Sequence, residues 1–455
     1  MKIIYQIGRL DSQMKPLRFS YEKNIYEKEL SSFALKEHLG NDTKVILIYP
    51  VSLPFNRTLN PLLFEEPFKI WIEKILAKDK ETIVNYFKNP RDFFENHPHS
   101  KIADFILIHS IGEYENVKFE ATYEDIVLEI LFDMIKRAID NEVEELYIDI
   151  SSGLNIYVSA LLEAMRHFSI FDQLQKMSYT SKCKIYKVFS EPIIGTSTTS
   201  FEIYKTEVKS KALFSSPIKK EDIDNYNLAR KLTTTIFGTI FGEDKREFKK
   251  QVQKNLENFA IHFSALKNAI PLASFTFEFD EVSEIENLVK KIIKTTEDER
   301  IYIDWKKSPV LPKDDFLKVL FSLSFYIGIV KILTSKVNLR SYEEGVDIKS
   351  IENFYEIYKS LGLTLNYTFL EKEIYNLKEG KDEQGNTLMN KATKTWSLLS
   401  SFLKGLQNEV NERNFFAHAG FERNIIEVRK IEDKLFFRYN EKMKEKIKTF
   451  LKNKT

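Results

Sequence analysis

Residues 411–420, NERNFFAHAG, set Arg413, Asn414 and His418 within six positions of one another. An imidazole changes charge nearest neutral pH, so His418 can take a proton from a ribose 2′-hydroxyl or return one to a leaving 5′-oxygen. A guanidinium stays charged and fork-shaped, and suits the charge that builds on a phosphate as it becomes five-coordinate. Together they suffice to cleave RNA without a metal, because RNA carries its own nucleophile in the 2′-hydroxyl; DNA lacks it. Spacing adds a condition. At about 100° per residue in a helix, Asn414 and His418 share a face while Arg413 and His418 lie well apart around the axis. Cooperation then calls for a second copy of the chain. The plainer reading of the same residues is a helix C-terminus, where positive side chains suit the negative end of the dipole.

The rest of the composition narrows the chemistry. Of seven histidines, His97 and His99 in ENHPHS lack a third metal ligand and read as a proline-bearing surface loop, while His38, His167 and His262 fall in helical patterns as packing or surface residues. A single cysteine, Cys183, excludes an intramolecular disulfide and a Cys-rich zinc site, and fits a reducing cytoplasm. No metal is expected. With 68 basic against 67 acidic residues there is no global field for nucleic acid, so a polyanion must meet a local basic patch. MKIIYQIG enters a strand pattern too early for a signal peptide. Lys318 and Lys331 interrupt the apolar run 316–333, which reads as a buried helix rather than a membrane span.

Which elements position these groups? A chain of 455 residues exceeds one core, so two domains are expected, 1–210 and 211–455. In the first, KIIYQIG, KVILIYP, ADFILIHS, ELYIDIS and KIYKVFS are near-continuous apolar runs, as strands covered on both faces require. Between them, EDIVLEILFDMIKRAI carries one apolar helical stripe. This is an α/β pattern, a doubly wound and mostly parallel sheet. After SKALFSSPIKKED the periodicity becomes mainly helical, with ASFTFEF, RIYIDW and IIEVRKIEDKLFFRY as short strands or hairpins. Trp396, Leu399, Leu403, Leu406 and Val410 recur at helical intervals and suggest an amphipathic helix leading into the Arg413 motif.

Ligands of open α/β sheets bind outside the carboxyl ends of the strands. There stand GRL (Gly8, Arg9, Leu10), HSIGE (His109, Ser110, Ile111, Gly112) and SSGLN (Ser151, Ser152, Gly153, Asn155). Gly8 allows close backbone approach and Arg9 can grip phosphate. Ser151 and Ser152 are good N-cap residues; SSGLN either makes an anion site at a helix start or merely caps the helix. Neither G-x-G-x-x-G after a strand nor a P-loop occurs, so a nucleotide here is neither a nicotinamide cofactor nor a P-loop NTP.

RNFFAH resembles the R-x(4–6)-H signature of HEPN-domain ribonucleases, with Asn414 in the polar place after the arginine. The first half resembles the CARF (CRISPR-associated Rossmann fold) domain, whose loop after a central strand is similar to SSGLN. The order of the two resembles the accessory ribonucleases of type III CRISPR systems. That resemblance implies a Rossmann-like sensor followed by a mainly helical HEPN domain, and a cytoplasmic homodimer or a higher homo-oligomer built from dimers, with no membrane partner. Its implied activity is metal-independent cleavage of single-stranded RNA, switched on by a cyclic oligoadenylate, taken as cyclic tetra-adenylate, with no cofactor. Gly8, Arg9, Leu10, Ser110, Ile111, Ser151, Ser152, Gly153 and Asn155 would meet the messenger; Arg413, Asn414 and His418 of two protomers would form the catalytic site. A two-fold dimer suits a symmetric ring. The alternative is a nucleotide-sensing regulator that binds DNA or a protein without catalysis, although KKIIKTTEDERIYIDWKK is too mixed in charge for a basic recognition helix.

Overall fold

The computed structural model describes residues 1–10, 16–151, 154–177, 183–191, 200–209, 214–238, 242–336, 344–403 and 410–455. In chain order the strands of the first half are β1 (Lys2–Ile7), β2 (Leu17–Tyr21), β3 (Asn24–Lys28), β4 (Thr43–Pro50), β5 (Asp104–Ile108), β6 (Ile111–Tyr114), β7 (Val117–Glu120), β8 (Glu145–Asp149), β9 (Lys184–Ser190) and β10 (Ser200–Glu207). Eight of them form one sheet in the order β3-β2-β10-β9-β8-β1-β4-β5. The centre, β9-β8-β1-β4-β5, is parallel throughout. All five central strands are the apolar runs read from the sequence. The hairpin β2–β3 and the antiparallel β10 extend one edge, and β6 and β7 form a separate hairpin beyond β5.

Alternation of side chains across the pleat divides this sheet between two cores. Ile3, Tyr5, Ile7, Ile46, Ile48, Leu146 and Ile148 face one, which continues without a break into the helical half. Ile4, Val45, Leu47, Tyr49 and Tyr147 face the other. On the first face lie the helices Tyr123–Asp140, opened by a Thr122–Asp125 capping box, and Asn155–Gln175. The second half packs helices Glu243–Lys267, Val282–Thr296 and Lys313–Lys336 against that layer. Helix Lys313–Lys336 is long and apolar enough to cross a membrane, yet 78% of its apolar window is buried inside the fold. Gly328 on it meets the first half closely: a Cβ there would stand 2.2 Å from the carbonyl oxygen of Leu174, at the end of helix Asn155–Gln175.

A small antiparallel sheet, β11 (Val346–Asp347), β12 (Ser397–Leu398), β13 (Ile426–Ile431) and β14 (Lys434–Tyr439), completes the second half in the order β11-β14-β13-β12. β13 and β14 are the hairpin expected from IIEVRKIEDKLFFRY. Three other expectations fail. ASFTFEF is mostly helix, Pro271–Thr276, because Pro271 favours a first helical turn and all six residues are buried in the core. RIYIDW enters the last turn of a π-helix, Glu297–Ile301, and then a turn. The stretch from Trp396 does not make a helix into the motif; it enters β12, and the Trp396 ring lies under the guanidinium groups of Arg429 and Arg438, at 4.5 and 4.3 Å. Leu406 lies outside the described residues.

Candidate functional site

β1 runs between β8 and β4 at the middle of the sheet, and the chain leaves β1 to one side and later returns to β8 on the other. The crevice between β1 and β8 is therefore the topological switch point, where ligands of such sheets bind. Register sets Gln6 beside Asp149. Asp149 is fully buried, and accepts hydrogen bonds from the Ser31 hydroxyl at 2.6 Å and the Ser151 N–H at 2.9 Å. Gln6 donates from Nε2 to Ser31 Oγ at 3.1 Å and accepts from the Ser32 hydroxyl. Burial raises the Asp149 carboxyl above the ordinary carboxylate range, against the hydrogen bonds from Ser151 and Ser31 and the positive charge of Arg9. Arg9 thus belongs to this cluster. Sequence reading missed Gln6, Ser31, Ser32 and Asp149, since only the sheet register and the start of helix Ser31–Leu39 bring them together.

The other expected contacts are distributed around it. The Cβ space of Gly8 is filled by the Tyr49 ring, 2.2 Å away, so packing alone already requires a glycine here. Leu10 is buried in the second core and Ser110 is buried, accepting from the Ser52 N–H at 2.9 Å. The Ile111 N–H reaches the Tyr157 hydroxyl at 3.4 Å. Helix Asn155–Gln175 begins at Asn155, whose side chain is exposed, with no side-chain cap. Ser151 does not cap it; its hydroxyl oxygen instead accepts from the Ser190 N–H at the end of β9, 2.8 Å away. Ser152 and Gly153 lie outside the described residues.

Beside Ser110, His109 is 1% exposed and its Nδ1 stands 2.6 Å from Glu129 Oε1, with its Nε2 3.3 Å from the Asp304 carbonyl oxygen and its ring stacked on Trp305. Burial disfavours the charged ring, but the Glu129 charge and both hydrogen bonds outweigh it and raise the pKa. Through Asp304 and Trp305, rather than through Glu129 on helix Tyr123–Asp140, this histidine ties the first half to the helical half. Asp125 does the same, accepting from Ser308 Oγ at 2.6 Å and the Leu311 N–H at 2.8 Å. His97 and His99 are no surface loop: they are buried, with His97 Nδ1 3.2 Å from the Tyr49 hydroxyl. Phe68 and Phe33 pack edge-on against the two rings, and that aromatic surround draws them in.

Arg413 and Asn414 sit on the short helix Glu412–Ala417, whose N-cap Asn411 accepts from the Asn414 N–H at 2.9 Å, and His418 is its C-cap. His418 follows one turn after Asn414, its N–H bonded to the Asn414 carbonyl at 3.1 Å. Arg413 is exposed at the opposite end and meets no carboxylate among the described residues. The His418 side chain is 48% exposed, and its Nδ1 lies 3.1 Å from Glu373 Oε1 on helix Thr364–Glu379. It lines a cleft of about 960 Å³ whose walls also carry Asn376, Lys381, Lys391, Ser400 and Arg423; Arg413 is not on it. One protomer therefore presents the imidazole at a polar cleft and the guanidinium elsewhere. Among the described residues, no group of three or more His, Cys, Asp or Glu side chains could hold a metal ion.

Family likeness covers both ends of the chain. Residues 2–192 match the CARF domain of the CRISPR system endoribonuclease Csx1, and residues 363–441 match the HEPN domain of the same endoribonuclease. The first segment holds the switch-point crevice; the second holds Glu373, Arg413, Asn414 and His418. Curated proteins gave no match. With more than half of its length matched by the sensor and nuclease domains of one enzyme, in the same order, the chain belongs to the CARF–HEPN ribonucleases of CRISPR systems.

Proposed function

We propose that this chain is a metal-independent endoribonuclease of type III CRISPR defence, acting in the cytoplasm on single-stranded RNA and switched on by a cyclic oligoadenylate, cyclic tetra-adenylate. The single observation that carries this reading is His418, half exposed on an open cleft inside the HEPN-matched segment. The 2′-oxygen attacks phosphorus while the bond from phosphorus to the 5′-oxygen breaks, leaving a 2′,3′-cyclic phosphate and a 5′-hydroxyl. One imidazole takes the 2′-hydroxyl proton and another gives a proton to the 5′-oxygen. Two protomers supply both, and the guanidinium of Arg413 from each neutralises the five-coordinate phosphorane, with Asn414 beside it. The separation of Arg413 from the His418 cleft within one protomer supports this dimeric arrangement.

The messenger is assigned to the switch-point crevice, on the residues around Arg9, Ser110, Ile111, Ser151 and Asn155, with the domain boundary near residue 210. Binding can favour the active arrangement only by being tighter there than in the inactive one. Labelled RNA and labelled duplex DNA, each incubated with and without cyclic tetra-adenylate and with and without chelator, test the reading. Cleavage confined to RNA plus messenger, and indifferent to chelator, is the expected result; duplex binding without cleavage of either overturns it.

A further inference from the structure

We infer that Glu373 is a positioning residue for His418. The inference rests on the acid–base role given to His418 above. The two side chains come from segments 45 residues apart and meet at 3.1 Å, carboxylate oxygen to Nδ1. Both are held firmly. Helix Thr364–Glu379 is anchored by buried Leu370, Ile374 and Leu377 on either side of Glu373. After His418 the chain reverses through Ala419 at φ 48° and Gly420 at φ 80°, with the Phe421 N–H bonded to the His418 carbonyl at 2.7 Å. Gly420 also packs so tightly that a Cβ would fall 2.5 Å from Ile270 and 2.6 Å from the Tyr439 hydroxyl.

An ionised carboxylate only accepts hydrogen bonds, so the Nδ1 that faces Glu373 must carry the hydrogen. That fixes the tautomer and leaves Nε2 as the nitrogen that exchanges protons with the ribose or the leaving oxygen. Glu373 itself touches neither the scissile bond nor its oxygens; it acts through the ring. A glutamine at the same place has the same shape but can donate as readily as accept, and carries no charge. Other charged groups face the same cleft, namely Lys381, Asp382, Glu383, Lys391 and Arg423. Asp382 and Lys391 are bound to each other at 2.5 Å. Glu373 is the one carboxylate of this set bonded to the His418 ring.

The experiment compares the wild-type protein with Glu373→Gln and His418→Ala in messenger-activated RNA cleavage across pH 5–9, together with ¹⁵N NMR of the His418 ring. Glu373→Gln is expected to lower kcat about 10- to 100-fold with KM nearly unchanged. It should also displace the pH–rate profile and turn a single Nδ1–H tautomer into a mixture. His418→Ala should be inactive. A Glu373→Gln protein with wild-type rate, pH profile and tautomer, beside an inactive His418→Ala, overturns the positioning role alone. An active His418→Ala protein overturns the acid–base reading and this inference with it. The NMR signature needs no turnover, so even a very slow variant reports its tautomer.

Discussion

The two ends of the molecule treat polar groups in opposite ways. At the switch point Asp149, Gln6, Ser31 and Ser32 are buried and bound to one another within a single chain. Around His418 the imidazole and the guanidinium are exposed, one tied only to Glu373 and the other to no carboxylate among the described residues. A satisfied cluster in a low-dielectric crevice is rigid and holds its geometry without help. Groups left in water are free to be completed by something else. The first end is thus finished by its own chain, whereas the second is left open, as the proposed dimeric site requires.

Substitutions can break that contrast. The largest effect falls at the exposed end: Arg413→Ala and His418→Ala should each reduce messenger-activated cleavage by about 10²- to 10⁴-fold while leaving messenger binding, measured by calorimetry, unchanged. Mixing wild-type protein with an excess of His418→Ala then sharpens the comparison. Activity that falls more steeply than the wild-type fraction means that protomers share one site; activity that falls in proportion to it means that each works alone.

Next comes the buried end. Asp149→Ala strands the Ser31 hydroxyl and the Ser151 N–H, and should cost about 1–3 kcal/mol in a urea titration. Titration gives a third, smaller effect. Burial holds His97 down to about 3 and His262 to about 4, both below the ordinary 6.5. The unfolded chain then binds more protons than the folded one between those values and 6.5, so their contribution to stability is complete above pH 6.5 and is lost as pH falls toward 3. His97→Asn should flatten the acid side of a stability–pH curve by at most about 1.4 kcal/mol per pH unit. His109, raised by Glu129, acts the other way: its contribution is present below the unfolded value and fades as pH rises through the folded one. The smallest effect belongs to the exposed pair Arg18–Glu27, 61% exposed on both sides, where Arg18→Ala should shift the urea midpoint by an amount worth less than about 1 kcal/mol.

How much of this was legible in the sequence follows from where each side chain finds its partners. The inner strands β1, β4 and β8 were readable because both faces of each are buried, which leaves a continuous apolar run, and β5 and β9 kept apolar runs although parts of them are exposed. Strands β2, β3 and β10, which carry the sheet out to one edge, were not, since LRFSY, NIYEK and SFEIYKTE mix charge into the alternation. Trp396 fitted a helical period with Leu399 and Leu403, but two arginines stacked on its ring hold it beside the small sheet, a tertiary contact that no local pattern encodes. Arg413 and His418 could be found from residue type and spacing, whereas Glu373 stood 45 positions away and Asp149 meets Ser31 across 118. Candidate positions could be named from the sequence; the side chains packed and bonded around them could not.

The helix Asn155–Gln175 starts in the crevice loop and ends where Gly328 leaves no room even for a methyl group. Its 21 residues make a rod about 30 Å long, so a tilt of roughly 4° at the crevice would carry Leu174 by about 2 Å. Gly328 has no slack to absorb such a stroke, since even a methyl group there would overlap the Leu174 carbonyl oxygen. Any such tilt would press at once on the central helix of the second half, with almost no backlash between the two.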